Sequence, residues 1–314
     1  MALIRSVILL LCLCVLPVQA LAADFPERPL TMVIGYAAGG STDIQGRVLA
    51  EVLGELLGQP VRVSNIPGAG GAVAAAMLAS STEQGHVFQY GISSTISISP
   101  LLAPASYDLD SFIYVAGLSL DQSAYVTSGQ SGFQDWPSLL QYLRDNPGQV
   151  YVTQTAEDRL LTRAIAKREG LDLRIVPTSG GAGMAPLVLS GEVFFAYSGG
   201  THTAYTDSGQ MRVLASLAEE RLVGYPQAPT LRELGYDLAL HAVRVVTVPA
   251  DTPVEQVEVL TKALVAAARD PRFIEVTETR IRQPIRFMTG AEVRTMLDTQ
   301  VQDYRRLIEE IGLQ

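Results

Sequence analysis

The chain has 314 residues, with 32 acidic against 23 basic side chains and a formal net charge of −9. A surface of that sign excludes nucleic acid and anionic membrane as partners, and any bound anion must be held locally against the overall field. The length exceeds one ordinary core and suits two lobes.

The first 22 residues read as an export signal. Arg5 gives a positive start, Val7 to Leu16 are apolar, and Ala20-Leu21-Ala22 fits a small-x-small cleavage pattern. The apolar run is shorter than the ~20 residues of a membrane-spanning helix, which disfavours an uncleaved anchor. Cleavage after Ala22 predicts a periplasmic protein. Both cysteines, Cys12 and Cys14, leave with the signal, so the mature chain has no thiolate or disulfide chemistry. It keeps 292 residues and a formal charge of −10.

Leu30–Ile34 is a predicted strand that runs into Gly35-Tyr36-Ala37-Ala38-Gly39-Gly40-Ser41-Thr42-Asp43. The helix that follows places Ile44, Val48, Leu49, Val52, Leu53, Leu56 and Leu57 on one face, with Gln45, Glu51 and Glu55 outside. Val61–Ser64 and Val87–Gly91 are further strands. Between them Asn65 to Gly71 turn into a small-residue helix that runs through Leu78. A second series starts near Phe112. Its helices are predicted at Trp136–Leu143, Leu160–Lys167 and Pro186–Ser190, and its strands at Val150–Thr153, Leu173–Pro177, Val193–Tyr197 and Arg212–Ser216. Val243–Val248 then forms a strand, a helix starts at Thr252, and Val293, Met296, Leu297, Val301, Tyr304, Leu307, Ile308 and Ile311 share one face of a closing helix. This alternation predicts two α/β lobes with mostly parallel sheets and a cleft at the strands' carboxyl ends.

The turn before the first helix unites glycines, which allow close backbone approach, with a helix N-terminus that attracts anions. A helix cap would need only one of Ser41, Thr42 and Asp43. We therefore read Tyr36, Ala38, Gly39, Gly40, Ser41 and Thr42 as an anion-binding turn, with Asp43 orienting the turn or water. Ser93-Ser94-Thr95 follows a strand at the same edge and reads equally as a cap. Thr178-Ser179-Gly180-Gly181 and Ser198-Gly199-Gly200 end strands in the same way in the second lobe. Gly68-Ala69-Gly70-Gly71 lacks the third glycine of a dinucleotide fingerprint, so tight strand-to-helix packing explains it. His86, His202 and His241 have no metal-ligand spacing, and no G-x-S-x-G motif marks a nucleophile. Glu157-Asp158 reads as a solvated helix start. No catalytic set, cofactor or metal is predicted.

The sequence resembles the extracytoplasmic solute receptors of the tripartite tricarboxylate transporter family, the Bug-type binding proteins. The resemblance lies in Phe25-Pro26-Glu27-Arg28-Pro29, Ala37 to Asp43, Gly58-Gln59-Pro60-Val61, Asn65 to Gly71, Ala228 to Gly235 and Pro249-Ala250-Asp251-Thr252-Pro253, in family order. It implies a type II-like two-lobed periplasmic receptor, monomeric and without catalysis, that closes on a small carboxylate and delivers it to membrane permease subunits. It also implies that the Ala37–Asp43 turn and a second-lobe turn grip the ligand.

The chain departs from that pattern at Thr153-Gln154-Thr155-Ala156-Glu157-Asp158-Arg159, where relatives have a glycine- and serine-rich turn leading to a histidine. Thr153, Gln154, Thr155, Thr178, Ser179, Gly181 and Ser198 are the candidate second-lobe ligand residues. Arg159 is a candidate partner for a second carboxylate, against the alternative of a surface pair with Glu157 or a nearby acid. Expected boundaries are 23–120 and 218–314 for the first lobe and 121–217 for the second. The competing classes are a secreted α/β hydrolase or dehydrogenase, or a receptor serving a membrane sensor.

Overall fold

The computed structural model describes residues 25–312. The expected signal segment, its expected cleavage point and both cysteines lie outside the described residues. Strands β1 (Leu30–Ile34), β2 (Val61–Asn65), β3 (Val87–Ile92), β4 (Phe112–Leu120), β10 (Val243–Pro249) and β11 (Ile285–Thr289) build one sheet, in the order β11-β4-β10-β3-β1-β2. Strands β5 (Ser123–Ser128), β6 (Gln149–Thr153), β7 (Leu173–Pro177), β8 (Phe195–Gly199) and β9 (Met211–Ser216) build the other, in the order β7-β6-β8-β5-β9.

Each sheet has a parallel heart. Strand β1 pairs with β2 (Met32 opposite Val63) and with β3 (Met32 opposite Phe88), and β6 pairs with β7 and β8. Strands β4, β5, β9, β10 and β11 pair antiparallel, so both sheets are mixed where mostly parallel ones were expected. The cause is the route of the chain. Strand β4 passes through Asp121-Gln122 directly into β5 of the other sheet, and β10 returns antiparallel between β3 and β4.

Helix α1 (Ser41–Leu57) lays Leu49 and Leu53 on Leu30, Met32, Phe88 and Tyr90, and ends at Gly58. Gln45, expected outside, is fully buried. Its amide donates to Ser119 Oγ and Thr277 Oγ1, and its carbonyl accepts the Tyr90 hydroxyl at 2.6 Å. Leu56, expected inside, is half exposed. Helices α2 (Ala72–Ala79), α3 (Ser94–Ser97), α7 (Val254–Ala267) and α8 (Gly290–Ile311) complete the first lobe.

The second sheet is packed on both faces. Tyr125, Tyr151 and Phe195 meet Trp136 of α4 (Trp136–Asp145) on one side, and Val126, Val152 and Val213 meet Met184 of α6 (Gly181–Leu189) on the other. Leu222, Tyr225, Ala228, Leu231, Tyr236 and Leu240 also join these second-lobe clusters. The segment from Leu222 to Leu240 thus packs with the second sheet before β10 rejoins the first.

Candidate functional site

The carboxyl ends of β1, β3, β6, β7 and β8 meet along one seam between the lobes. Helix α1 has Gly40 as its N-cap, with no side-chain capping bond. Ser41 and Thr42 are thus the first helical residues, and neither hydroxyl serves as the cap. Ser41 N–H donates to Thr201 Oγ1 of the second lobe at 3.2 Å, and Ser41 Oγ donates to Gly199 O at 2.8 Å. Ala37 N–H donates to Ser179 O at 2.9 Å. The turn therefore faces the second-lobe turns, while Ala38 and Gly39 lie exposed at its rim.

The N-terminus of α6 faces the N-terminus of α1. A Cβ built on Gly40 would lie 3.6 Å from Ala182 N and 3.7 Å from Gly181 N, the first amides of α6. Helix α6 also starts at a glycine cap, Gly180, without a side-chain bond. Two positive dipole ends brought this close repel, and an anion between them removes the penalty. Gly181 has to be glycine here, because a Cβ would lie 1.9 Å from Thr201 Oγ1 and displace the group that accepts from Ser41.

Asp43 orients the turn. One oxygen accepts Gly39 N–H and Arg47 Nε, each at 2.9 Å, and the other accepts Asn65 Nδ2 at 2.9 Å. Burial alone would raise this carboxyl, but the bonds from Arg47, Gly39 and Asn65 hold it below its ordinary range. Tyr36 OH donates to Gly70 O, which also accepts Thr95 Oγ1 at 2.9 Å. Gly70, with φ +66°, approaches the second lobe: its Cβ would lie 3.1 Å from Gln154 O and Thr155 Cα. Contact between the lobes, and not only strand-to-helix packing, accounts for that glycine.

Several expected ligand residues have hydrogen-bond partners within the protein. Ser93 Oγ accepts Val243 N–H and ties β3 to β10. Thr153 Oγ1 donates to Thr155 O, and Thr178 Oγ1 donates to Thr153 O. Thr155 caps α5 (Ala156–Glu169) in a reciprocal pair with Asp158. Ser198 Oγ bonds His202 Nδ1 and accepts its N–H. Gln154 donates to Tyr197 O within the second lobe at 2.5 Å. Among the described residues Arg159 Nε is buried without a partner, while the buried Ser94 hydroxyl makes no well-formed hydrogen bond but lies near Glu157.

Glu157 and Asp158 are not solvated. Both are buried, Asp158 beneath Tyr151 OH at 2.6 Å, and Glu157 accepts the hydroxyl of Tyr304 from α8. Glu157 is therefore not paired with Arg159. Burial, assisted by Asp121 and Asp158, pushes Glu157 from about 4.5 up to about 7, against the pull of the Tyr304 and Ser94 hydroxyls. The native state then holds a proton that the unfolded chain releases between those values. Stability should accordingly fall as pH rises through that window, by ~3 kcal/mol, with no further loss from this group above it. Glu157→Gln should flatten the slope. Denaturant unfolding at several pH values checks this, and equal slopes in the two proteins would contradict it.

The residue that sequence reasoning missed is Arg244. It is fully buried at the start of β10 and donates Nε to Asp121 Oδ1 at 2.9 Å, Nη2 to Ser41 Oγ at 3.1 Å and Nη1 to Thr42 Oγ1. Its one sequence signal was a lone cation inside a valine run, Val243-Arg244-Val245-Val246. Among the described residues, no group of three or more His, Cys, Asp or Glu is placed to hold a metal, and no helix is long and apolar enough to cross a membrane.

Residues 46–313 match the family model described as the tripartite tricarboxylate transporter family receptor. A protein of Cupriavidus necator, the UPF0065 protein in the gbd 5′ region, is 29% identical over 96% of this chain and 93% of its own length. The structure of the periplasmic binding protein BugD superposes with a TM-score of 0.85 at 24% identity, over 92% of this chain and 99% of that one. MatC from Rhodopseudomonas palustris with bound malate gives 0.82 at 22% identity, over 90% and 100%.

Proposed function

We infer that this chain, which belongs to the tripartite tricarboxylate transporter family of receptors, closes its lobes on a small carboxylate and delivers it to that family's membrane permease. The family is one of periplasmic solute-binding receptors, not enzymes. The observation that carries the ligand class is the convergence of the α1 and α6 N-termini at Gly40 and Gly181. Malate bound to the related MatC supports a small dicarboxylate.

One carboxylate would sit on the amides around Gly40 to Thr42, beside Tyr36, Ser41, Thr42 and Thr95. Ser179 and Gly181 would meet it from the second lobe, with Gln154 and Ser94 along the seam. The half-buried Arg159, whose Nε has no partner among the described residues, would reach a second carboxylate at the seam's edge. Closure is a hinge motion about the two strand crossings, with no covalent step.

Ser41→Ala/Thr42→Ala is expected to weaken binding of such a carboxylate by ~2–4 kcal/mol, since two charge-assisted bonds are lost. Titration calorimetry measures it, with circular dichroism as the folding control. Unchanged affinity in a folded variant would take the turn out of the site. Export and cleavage belong to the same reading. The exported protein should begin near Ala23 by intact mass, and a retained Met1 end would contradict that.

A further inference from the structure

We propose that Arg244 sets the charge requirement of the cleft: its guanidinium is the cation that a ligand carboxylate meets at the α1 turn, and it links that meeting to lobe closure. The proposal rests on the carboxylate-receptor reading above.

A guanidinium enters a protein interior only with its charge and donors satisfied. Asp121 supplies the charge partner, with Nη2 to Oδ1 at 2.6 Å. An ion pair built for stability would need little more, yet this one reaches further. Nη2 also donates to Gly199 O of the second lobe at 2.8 Å and to Ser41 Oγ, and Nη1 donates to Thr42 Oγ1. One planar group thus touches both hydroxyls of the first-lobe turn and a backbone carbonyl across the seam.

Asp121 is bound independently of Arg244. Its Oδ1 accepts Gln283 Nε2 at 2.9 Å, and its Oδ2 accepts Ser123 Oγ and Tyr197 OH, each at 3.0 Å. Three neutral donors therefore share the carboxylate's charge. The Arg244–Asp121 pair is neutral in sum and Asp43 is paired with Arg47, so what is left at this locus is the partial positive charge of the two facing helix N-termini beside a guanidinium. Nη1 carries two hydrogens and among the described residues finds one acceptor, Thr42 Oγ1, which leaves an N–H beside the turn for a ligand oxygen. A carboxylate completes this balance, whereas an amide of the same shape does not.

The test uses malate, succinate and adipate, each beside its diamide, titrated into the wild type, Arg244→Lys and the neutral pair Asp121→Asn/Arg244→Gln. The wild type should prefer acid over diamide by about 100-fold or more. The lysine variant, which keeps the charge, should retain at least a tenfold preference at lower affinity. The folded neutral variant should fall to less than about threefold. Preference surviving in the neutral variant, or lost in a folded lysine variant, overturns the proposal and leaves Arg244 as a hinge tie. If the neutral variant fails to fold, the lysine variant decides alone. A wild type that binds none of the acids overturns the carboxylate reading itself, and the role of Arg244 with it.

Discussion

Replacing Arg244 by methionine is expected to cost about 3–5 kcal/mol of folding stability. The loss comes from what remains: the buried side chain of Asp121 is left without the one cation that pairs with it among the described residues. Gln283, Ser123 and Tyr197 still donate to it, which places the effect toward the lower end of that range. Asp121→Asn/Arg244→Met should recover most of the loss, because a buried ion pair replaced as a unit is close to neutral. Equilibrium denaturation of the three proteins measures this. A single variant within about 1 kcal/mol of the wild type would mean that Asp121 finds water or another donor once Arg244 is gone.

Gly70→Val is expected to block closure while leaving each lobe folded. The position has φ +66°, a conformation that costs a residue with a Cβ about 1–2 kcal/mol. The larger effect is steric and acts only when the lobes meet, since the Cβ would stand 3.1 Å from second-lobe backbone at Gln154 and Thr155. Backbone on both sides gives little. If the closed state is disfavoured by ~3 kcal/mol, apparent affinity falls roughly 100-fold. Small-angle scattering with saturating ligand should find the variant open and the wild type closed. A variant that closes and binds like the wild type would show that the seam yields there.

The sequence disclosed local features well and distant partnerships poorly. The turn from Gly35 to Asp43 was legible because strand, glycines and helix follow one another along the chain, and Asp43 acts on its neighbours Gly39 and Arg47. Gln45 was misplaced because helical periodicity sorts residues by polarity. Its burial depends on Ser119 and Thr277, which come from elsewhere in the chain. Glu157 and Asp158 looked like a solvated helix start for the same reason, since Tyr304 lies 147 positions away. Arg244 stood out in its valine run, but its meaning required Asp121 and the α1 turn, 123 and 202 positions distant. Thr155 and Thr178 carry the right chemistry for a ligand, and in the structure their hydroxyls bond Asp158 and the Thr153 carbonyl. A hydroxyl at a strand end fits either use until its neighbours are placed.

The most direct measurement is a thermal-shift titration of the protein from residue 23 onward against mono-, di- and tricarboxylates, their amides, amino acids and sugars. At ~100 times its dissociation constant a ligand adds ~2.7 kcal/mol of stability, a clear rise in unfolding temperature. The account predicts that at least one small carboxylate gives this rise and that its amide does not. Stabilisation by an uncharged or cationic solute, with no carboxylate effective, would contradict it.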